Sequence, residues 1–127
     1  MICLSLNLRG TGGTQKLASV KRFLDKTRPD LVCFQETLVH SKKARMFMSL
    51  IQPFWFCCTV SSVGTSGGLL VAWDPIVFDL NAFLTCGGIL LKGYSIASKR
   101  PLSILNVYGP CTEQRLFWNK LANSSIL

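Results

Sequence analysis

The chain has 127 residues, enough for one domain and not two. Hydrophobic residues make up 49% and charged residues 16%, which excludes a disordered segment. Fourteen Lys and Arg against six Asp and Glu give a net charge of +8, which excludes an acidic solvating domain and favours an anionic partner such as nucleic acid, phosphate or a membrane surface.

In chain order, residues 2–7 alternate apolar and polar, with Ile2, Leu4 and Leu6 on one face of a strand. Gly10, Gly12 and Gly13 break the pattern. Over 15–27 the period becomes helical. Leu17, Val20, Phe23 or Leu24 and Thr27 fall on one side, and Lys16, Lys21, Arg22 and Lys26 form a solvated face on the other. Thr14 is the expected N-cap, and Pro29 stops the helix. The apolar run 31–36 is a buried strand, which completes a βαβ-like unit. A second helix is expected over 41–51, capped by Ser41, with Ala44, Phe47, Met48 and Ile51 as its stripe.

After Pro53 the pattern is strand throughout: 54–60, 68–73, 76–81, 88–97 and 102–108, separated by turn-forming Gly, Asp-Pro and Arg-Pro steps. A last helix is expected over 113–123. The fold class is therefore α/β (α+β-like): a mixed β-sheet with helices on one face. Gly67-Gly68 does not make a phosphate cradle, because no G-x-x-x-x-G-K-[ST] is present and a strand follows.

The longest stretch without charge, Met46–Trp73, is interrupted by Ser, Gln, Pro, Thr and Gly. No segment reaches the roughly 18 apolar residues of a membrane span. MICLSLNLRG lacks a basic n-region, so it does not read as a signal peptide. Six cysteines without a C-x-x-C, beside one histidine, argue against zinc and for buried, reduced thiols. The expected location is intracellular, nuclear or cytoplasmic, with no membrane partner.

Polar residues stand at the C-terminal ends of three apolar strands: Asn7, Glu36 with Gln35, and Tyr108 with Asn106. Open α/β sheets place sites at such ends. Glu36 and the Asn7 amide can offer oxygen ligands to a hard cation such as Mg²⁺. A lone carboxylate at a strand end is equally at home as a cap or a surface ion-pair partner. Asp74 and Asp79 cannot be placed beside Glu36 from sequence, and Asp74 before Pro75 reads as a turn residue.

The blocks CLSLNLRG (3–10), PDLVCFQET (29–37), SGGLLVAW (66–73) and LNVYGP (105–110) resemble the endonuclease/exonuclease/phosphatase superfamily. In order and spacing they are most similar to the endonuclease domain of plant-type LINE-like (non-LTR) retrotransposons. Arg115-x-x-Trp118 fits as well, so the likeness runs from residue 1 to about 121. The resemblance implies Mg²⁺-dependent phosphodiester hydrolysis on DNA. Glu36 would be the direct metal ligand, and Asn7 would orient the metal shell or a phosphate oxygen. Tyr108 would stabilise charge at the scissile phosphate, Arg9 would approach DNA phosphate, and Gln35 would brace the backbone.

The chain departs from the pattern at Leu6, where the family has an aromatic, and at Cys111, where it often has Asn. The family's later G-D-x-N and S-D-H blocks do not occur in these residues. His40 follows the QET block and cannot replace them; it is expected in an exposed loop.

The resulting expectation is the N-terminal half of such a domain over 1–127, truncated and catalytically incomplete. Its DNA binding is expected to be weak and non-specific. The strands carrying Asn7, Glu36 and Tyr108 are expected as neighbours in one mixed sheet, with the second sheet of the superfamily sandwich largely missing. The uncovered apolar face would then favour self-association, in keeping with a mean hydropathy of +0.35. The alternatives are a non-catalytic basic nucleic-acid-binding module, or a fragment of a small-molecule phosphoesterase of the same superfamily.

Overall fold

The computed structural model describes residues 1–64 and 66–107. The elements are β1 (Cys3–Asn7), α1 (Gly13–Thr27), β2 (Leu31–Gln35), α2 (Ser41–Ile51), β3 (Phe56–Val60), β4 (Leu69–Trp73), β5 (Phe78–Leu84), β6 (Gly88–Ser95) and β7 (Pro101–Val107). Tyr108, Cys111, Arg115, Trp118 and the helix expected over 113–123 lie outside the described residues.

The first sheet has the order β1-β2-β4-β3. β1 and β2 are parallel, with Asn7 opposite Gln35, as the α1 crossover requires. β4 then runs antiparallel between β2 and β3. The second sheet is the antiparallel meander β5-β6-β7.

Each apolar run has its place in these layers. Alternate residues of β2 and β4 point to opposite faces. Val32, Phe34, Leu70 and Ala72 meet α1 and α2 through Val20, Leu24, Phe47 and Met48. Leu31, Cys33, Val71 and Trp73 face the second sheet through Phe78, Leu80, Ile89 and Leu91. Because both faces are covered, these central strands are apolar without alternation. Phe56 packs edge-on against Trp73, with ring centroids 6.0 Å apart at 83°. The helices lie on one face, as expected.

The missing second sheet is corrected by this arrangement. The runs over 76–81, 88–97 and 102–108 were expected to prolong a single sheet; instead they make a three-stranded layer that covers β2, β4 and β3. The turn at Asp74, where Val77 and Phe78 N–H groups return to its carbonyl, carries the chain from one layer to the other. Consequently β7 is not a neighbour of β1 and β2 in one sheet; it faces β2 across the sandwich.

Two caps also differ. α1 starts at Gly13, with φ +81, after an extended Gly12, so Thr14 lies inside the helix and no side chain caps it. Arg28 closes α1 in the left-handed region, its N–H donating to the Leu24 carbonyl, because Pro29 disfavours helical geometry before it. α2 is capped by His40 and not Ser41: His40 Nδ1 accepts the Lys42 N–H at 3.3 Å. His40 is exposed, as expected, but it is a cap as well as a loop residue.

Among the described cysteines all are free; Cys33 is buried, and Cys3 and Cys86 are exposed. Burial pushes the Cys33 thiol up to about 12, with the nearby Cys3 adding to the shift. Among the described residues no helix is long and apolar enough to cross a membrane.

Candidate active site

The parallel ends of β1 and β2 form a polar rim. Backbone bonds continue past the strands: the Leu8 N–H donates to the Gln35 carbonyl and the Gly10 N–H to the Glu36 carbonyl, both at 2.8 Å. The loops carrying Asn7–Arg9 and Glu36 are thereby stitched together. Arg9, Glu36 and Leu38 all have φ between 53° and 58°, in the left-handed region that non-glycine residues avoid. Three such residues at neighbouring strand ends concentrate backbone strain of about 1 kcal/mol or more each at this rim.

Asn7 is exposed, and its Oδ1 accepts the Arg9 N–H at 3.0 Å, which orients the amide. Glu36 follows directly on β2 and is half-buried. Gln35 points into the sandwich, where its Nε2 donates to Asn106 Oδ1 at 2.7 Å and to Ser5 Oγ at 3.2 Å. Asn106, in β7, is 2% exposed and donates through Nδ2 to the Phe34 and Leu70 carbonyls, both at 3.1 Å. One amide therefore ties β7 to β2 and β4 beneath the rim.

Asn106 entered the sequence reading only as a companion of Tyr108; its signal was an amide amid Leu, Ile and Val. Lys16 also departs from expectation. It is half-buried, and its Nζ donates to the Leu8 carbonyl at 2.6 Å, so one cation of the α1 face is held at the rim. Lys21, Arg22 and Lys26 are exposed.

Gly68 and Thr37 support the Glu36 loop from behind. The Thr37 N–H donates to the Gly68 carbonyl and the Leu38 N–H to the Gly67 carbonyl. Gly68 has φ +93, and a Cβ there would fall 2.1 Å from Thr37 Oγ1. Gly68 thus serves close approach to the loop after Glu36, whereas Gly67, with open space around it, serves its φ of +77.

Other carboxylates do not join Glu36. β4 begins beside Gln35 and ends beside Leu31, so Asp74 emerges at the opposite end of the sheet, where its N–H donates to the Asp30 carbonyl. Asp79 accepts from the Tyr94 hydroxyl at 2.8 Å in the second sheet. Among the described residues no group of three His, Cys, Asp or Glu could hold a metal. The donors at the rim, one carboxylate and one amide oxygen, suit a single hard divalent cation completed by water and phosphate, not an all-protein cage.

The class is an α/β sandwich of two sheets, helices on one outer face, with its polar strand ends gathered at one rim. Within that class the chain belongs to the Endonuclease/Exonuclease/phosphatase family, whose model matches residues 4–125. Solved structures agree in fold. AP endonuclease LMAP from Leishmania major superposes with a TM-score of 0.65 at 14% identity, over 96% of this chain and 44% of its own. The APE2 catalytic domain of Xenopus laevis gives 0.63 at 17%, over 96% and 50%. TDP2 from Caenorhabditis elegans, in truncated form, gives 0.63 at 16%, over 94% and 52%. The chain thus spans about half the length of these structures. No curated protein matches it by sequence.

Proposed function

We propose that these residues form the metal-holding half of a DNA-directed phosphodiesterase site, of LINE-like retrotransposon ancestry, that does not cleave by itself. The observation that carries the reading is the rim. What supports it is the parallel pairing of β1 with β2, in which Asn7 stands opposite Gln35, the residue before Glu36, with Arg9, Glu36 and Leu38 all in the left-handed region. The Glu36 carboxylate and Asn7 Oδ1 would hold Mg²⁺, which when bound neutralises charge on a phosphodiester oxygen. Arg9, exposed beside Asn7, would meet the DNA backbone, and the net charge of +8 favours that polyanion over a neutral substrate. Tyr108, two residues beyond Asn106, would donate to charge developing at phosphorus. These 127 residues hold neither the G-D-x-N nor the S-D-H block that would aim or deprotonate water, so what they would supply is the metal and phosphate contacts.

Wild type and Glu36→Gln are compared on supercoiled plasmid and on a short duplex, with Mg²⁺ or chelator. The expected result is no nicking by either protein. Duplex binding should fall steeply with salt and carry a Mg²⁺-dependent increment that Glu36→Gln removes. Nicking that disappears in Glu36→Gln would show a complete enzyme. Binding indifferent to Mg²⁺ would remove the metal half-site. The blocks shared with retroelement endonucleases support the ancestry, and an open frame continuing after codon 127 into G-D-x-N, S-D-H and a reverse transcriptase would test it.

A further inference from the structure

Lys16 stands where a cation is unfavourable. It is the fourth residue of α1, in a first turn that holds no acid, so its charge opposes the positive end of the helix dipole. Leu6, Leu8, Val20 and Phe23 line one cleft with it, and the residue is half-buried. What it gains in that place is a single backbone carbonyl.

The Leu8 carbonyl needs a donor because the β1–β2 ladder stops there. Leu8 N–H donates to the Gln35 carbonyl, so a continuing parallel ladder would bring the Thr37 N–H to the Leu8 carbonyl. Thr37 N–H donates instead to the Gly68 carbonyl, at 3.3 Å. Leu8 is 2% exposed, and a buried carbonyl must find another partner. Lys16 Nζ supplies it at 2.6 Å.

The peptide between Leu8 and Arg9 is thereby held on both sides. Its carbonyl accepts from Lys16 Nζ, and its N–H donates to Asn7 Oδ1 at 3.0 Å. A cation on the carbonyl polarises the peptide and strengthens donation by its N–H. The same contact helps to hold the loop that carries Arg9 at φ +53, a conformation non-glycine residues avoid.

We propose that Lys16 is a positioning residue, which sets the Asn7 amide through the Leu8–Arg9 peptide. Its role in metal binding rests on the reading of Asn7 and Glu36 as the metal-holding pair. Charge and positioning then predict opposite signs. A bystander cation repels Mg²⁺, so removing it would tighten Mg²⁺ binding. A residue that aims the Asn7 oxygen does the reverse: its removal weakens Mg²⁺ binding.

The test uses the full chain as wild type, Lys16→Met, Lys16→Arg, Asn7→Ala and the Lys16→Met/Asn7→Ala double variant. Lys16→Met keeps an unbranched stem in the apolar cleft and removes donor and charge; Lys16→Arg keeps both. Thermal unfolding checks that each variant folds, and Lys16→Gln, shorter and neutral, replaces Lys16→Met if that variant does not. Exchange of the Arg9 amide, measured by NMR without metal, should quicken roughly threefold or more in Lys16→Met as its hydrogen bond loosens. In duplex binding, the Mg²⁺ concentration at half of the Mg²⁺-dependent increment should rise by a similar factor. Lys16→Arg should largely restore both, and the double variant should be no worse than Asn7→Ala, because Lys16 acts through Asn7. Unchanged Arg9 exchange, a lowered Mg²⁺ midpoint in Lys16→Met, or a loss confined to metal-free duplex binding would each overturn the proposal. If wild-type binding ignores Mg²⁺, the metal reading fails, and Arg9 exchange alone decides whether Lys16 sets the Asn7 amide.

Discussion

Replacing Asn106 by leucine tests whether one amide holds the two sheets in register at the rim. Asn106→Leu keeps the branching at Cγ, is bulkier, and removes every side-chain hydrogen bond. The Phe34 and Leu70 carbonyls each lose a donor at 3.1 Å in a position where Asn106 is 2% exposed. A buried hydrogen bond contributes about 1 kcal/mol net, and an orphaned buried group costs about 1–3 kcal/mol. Gln35 loses its 2.7 Å acceptor but is half-buried and retains Ser5 Oγ, so its share is small. Greater apolar burial by leucine offsets about 1 kcal/mol. The expected loss is about 2–3 kcal/mol, a fall in Tm of about 10–20 °C for a domain of this size. Urea and thermal unfolding followed by circular dichroism, on wild type, Asn106→Leu and Gln35→Ala, provide the measurement. Gln35→Ala should cost less than about 1 kcal/mol. A loss below about 1 kcal/mol for Asn106→Leu, or a larger effect at Gln35 than at Asn106, would refute the assignment of the tie to Asn106.

Gly68→Ala should destabilise by about 2 kcal/mol or more, since it meets both a positive φ and Thr37 Oγ1 at 2.1 Å; equilibrium unfolding decides, and a change under about 0.5 kcal/mol would contradict it. Thr37→Val should be neutral within about 0.5 kcal/mol or stabilising, because Thr37 is fully buried with no hydrogen-bond partner for Oγ1 among the described residues; a loss of about 2 kcal/mol would mean that the hydroxyl is engaged. Burial raises Cys33 from 9.0 to about 12, so above pH 9 the unfolded chain releases a proton that the folded chain keeps, and stability should fall by up to about 1.4 kcal/mol per pH unit until about pH 12. Urea titrations at stepped pH should show this slope in wild type and a shallower one in Cys33→Ala, since Cys3, Cys58 and Tyr94 are raised as well.

The secondary structure was legible because periodicity records burial directly. The 3.6-residue stripe at Ala44, Phe47, Met48 and Ile51 is the buried face of α2, and the unbroken LVCF of β2 is buried on both sides. The division into two sheets was not legible. The runs on either side of Asp74-Pro75 have the same strand character, and only three-dimensional pairing shows that β4 inserts between β2 and β3 while β5 starts a new layer. Helix caps were misread for a local reason, although α2 runs over 41–51 as expected. At Gly12-Gly13 the backbone begins the helix without a side chain, and at His40 a ring nitrogen does what the hydroxyl of Ser41 was expected to do. At the candidate rim, the placing of Asn7 and Glu36 at the ends of apolar strands was legible. Asn106 and Gly68 were not, because a buried amide and a steric contact with Thr37 gain their meaning only from partners distant in the chain.

The tie from Asn106 to Phe34 spans 72 residues of sequence, and this orders events during synthesis. At about 5–20 residues per second, a ribosome needs roughly 4–15 s between making β2 and making the residue that secures its inner face. Through that interval β1, α1, β2 and α2 can already assemble, since their contacts are local, but Leu31, Cys33 and later Val71 await the strands that cover them. The nascent chain is therefore most vulnerable just before β7 emerges. A stalled or chaperone-bound intermediate should hold the first sheet with its helices and lack the second.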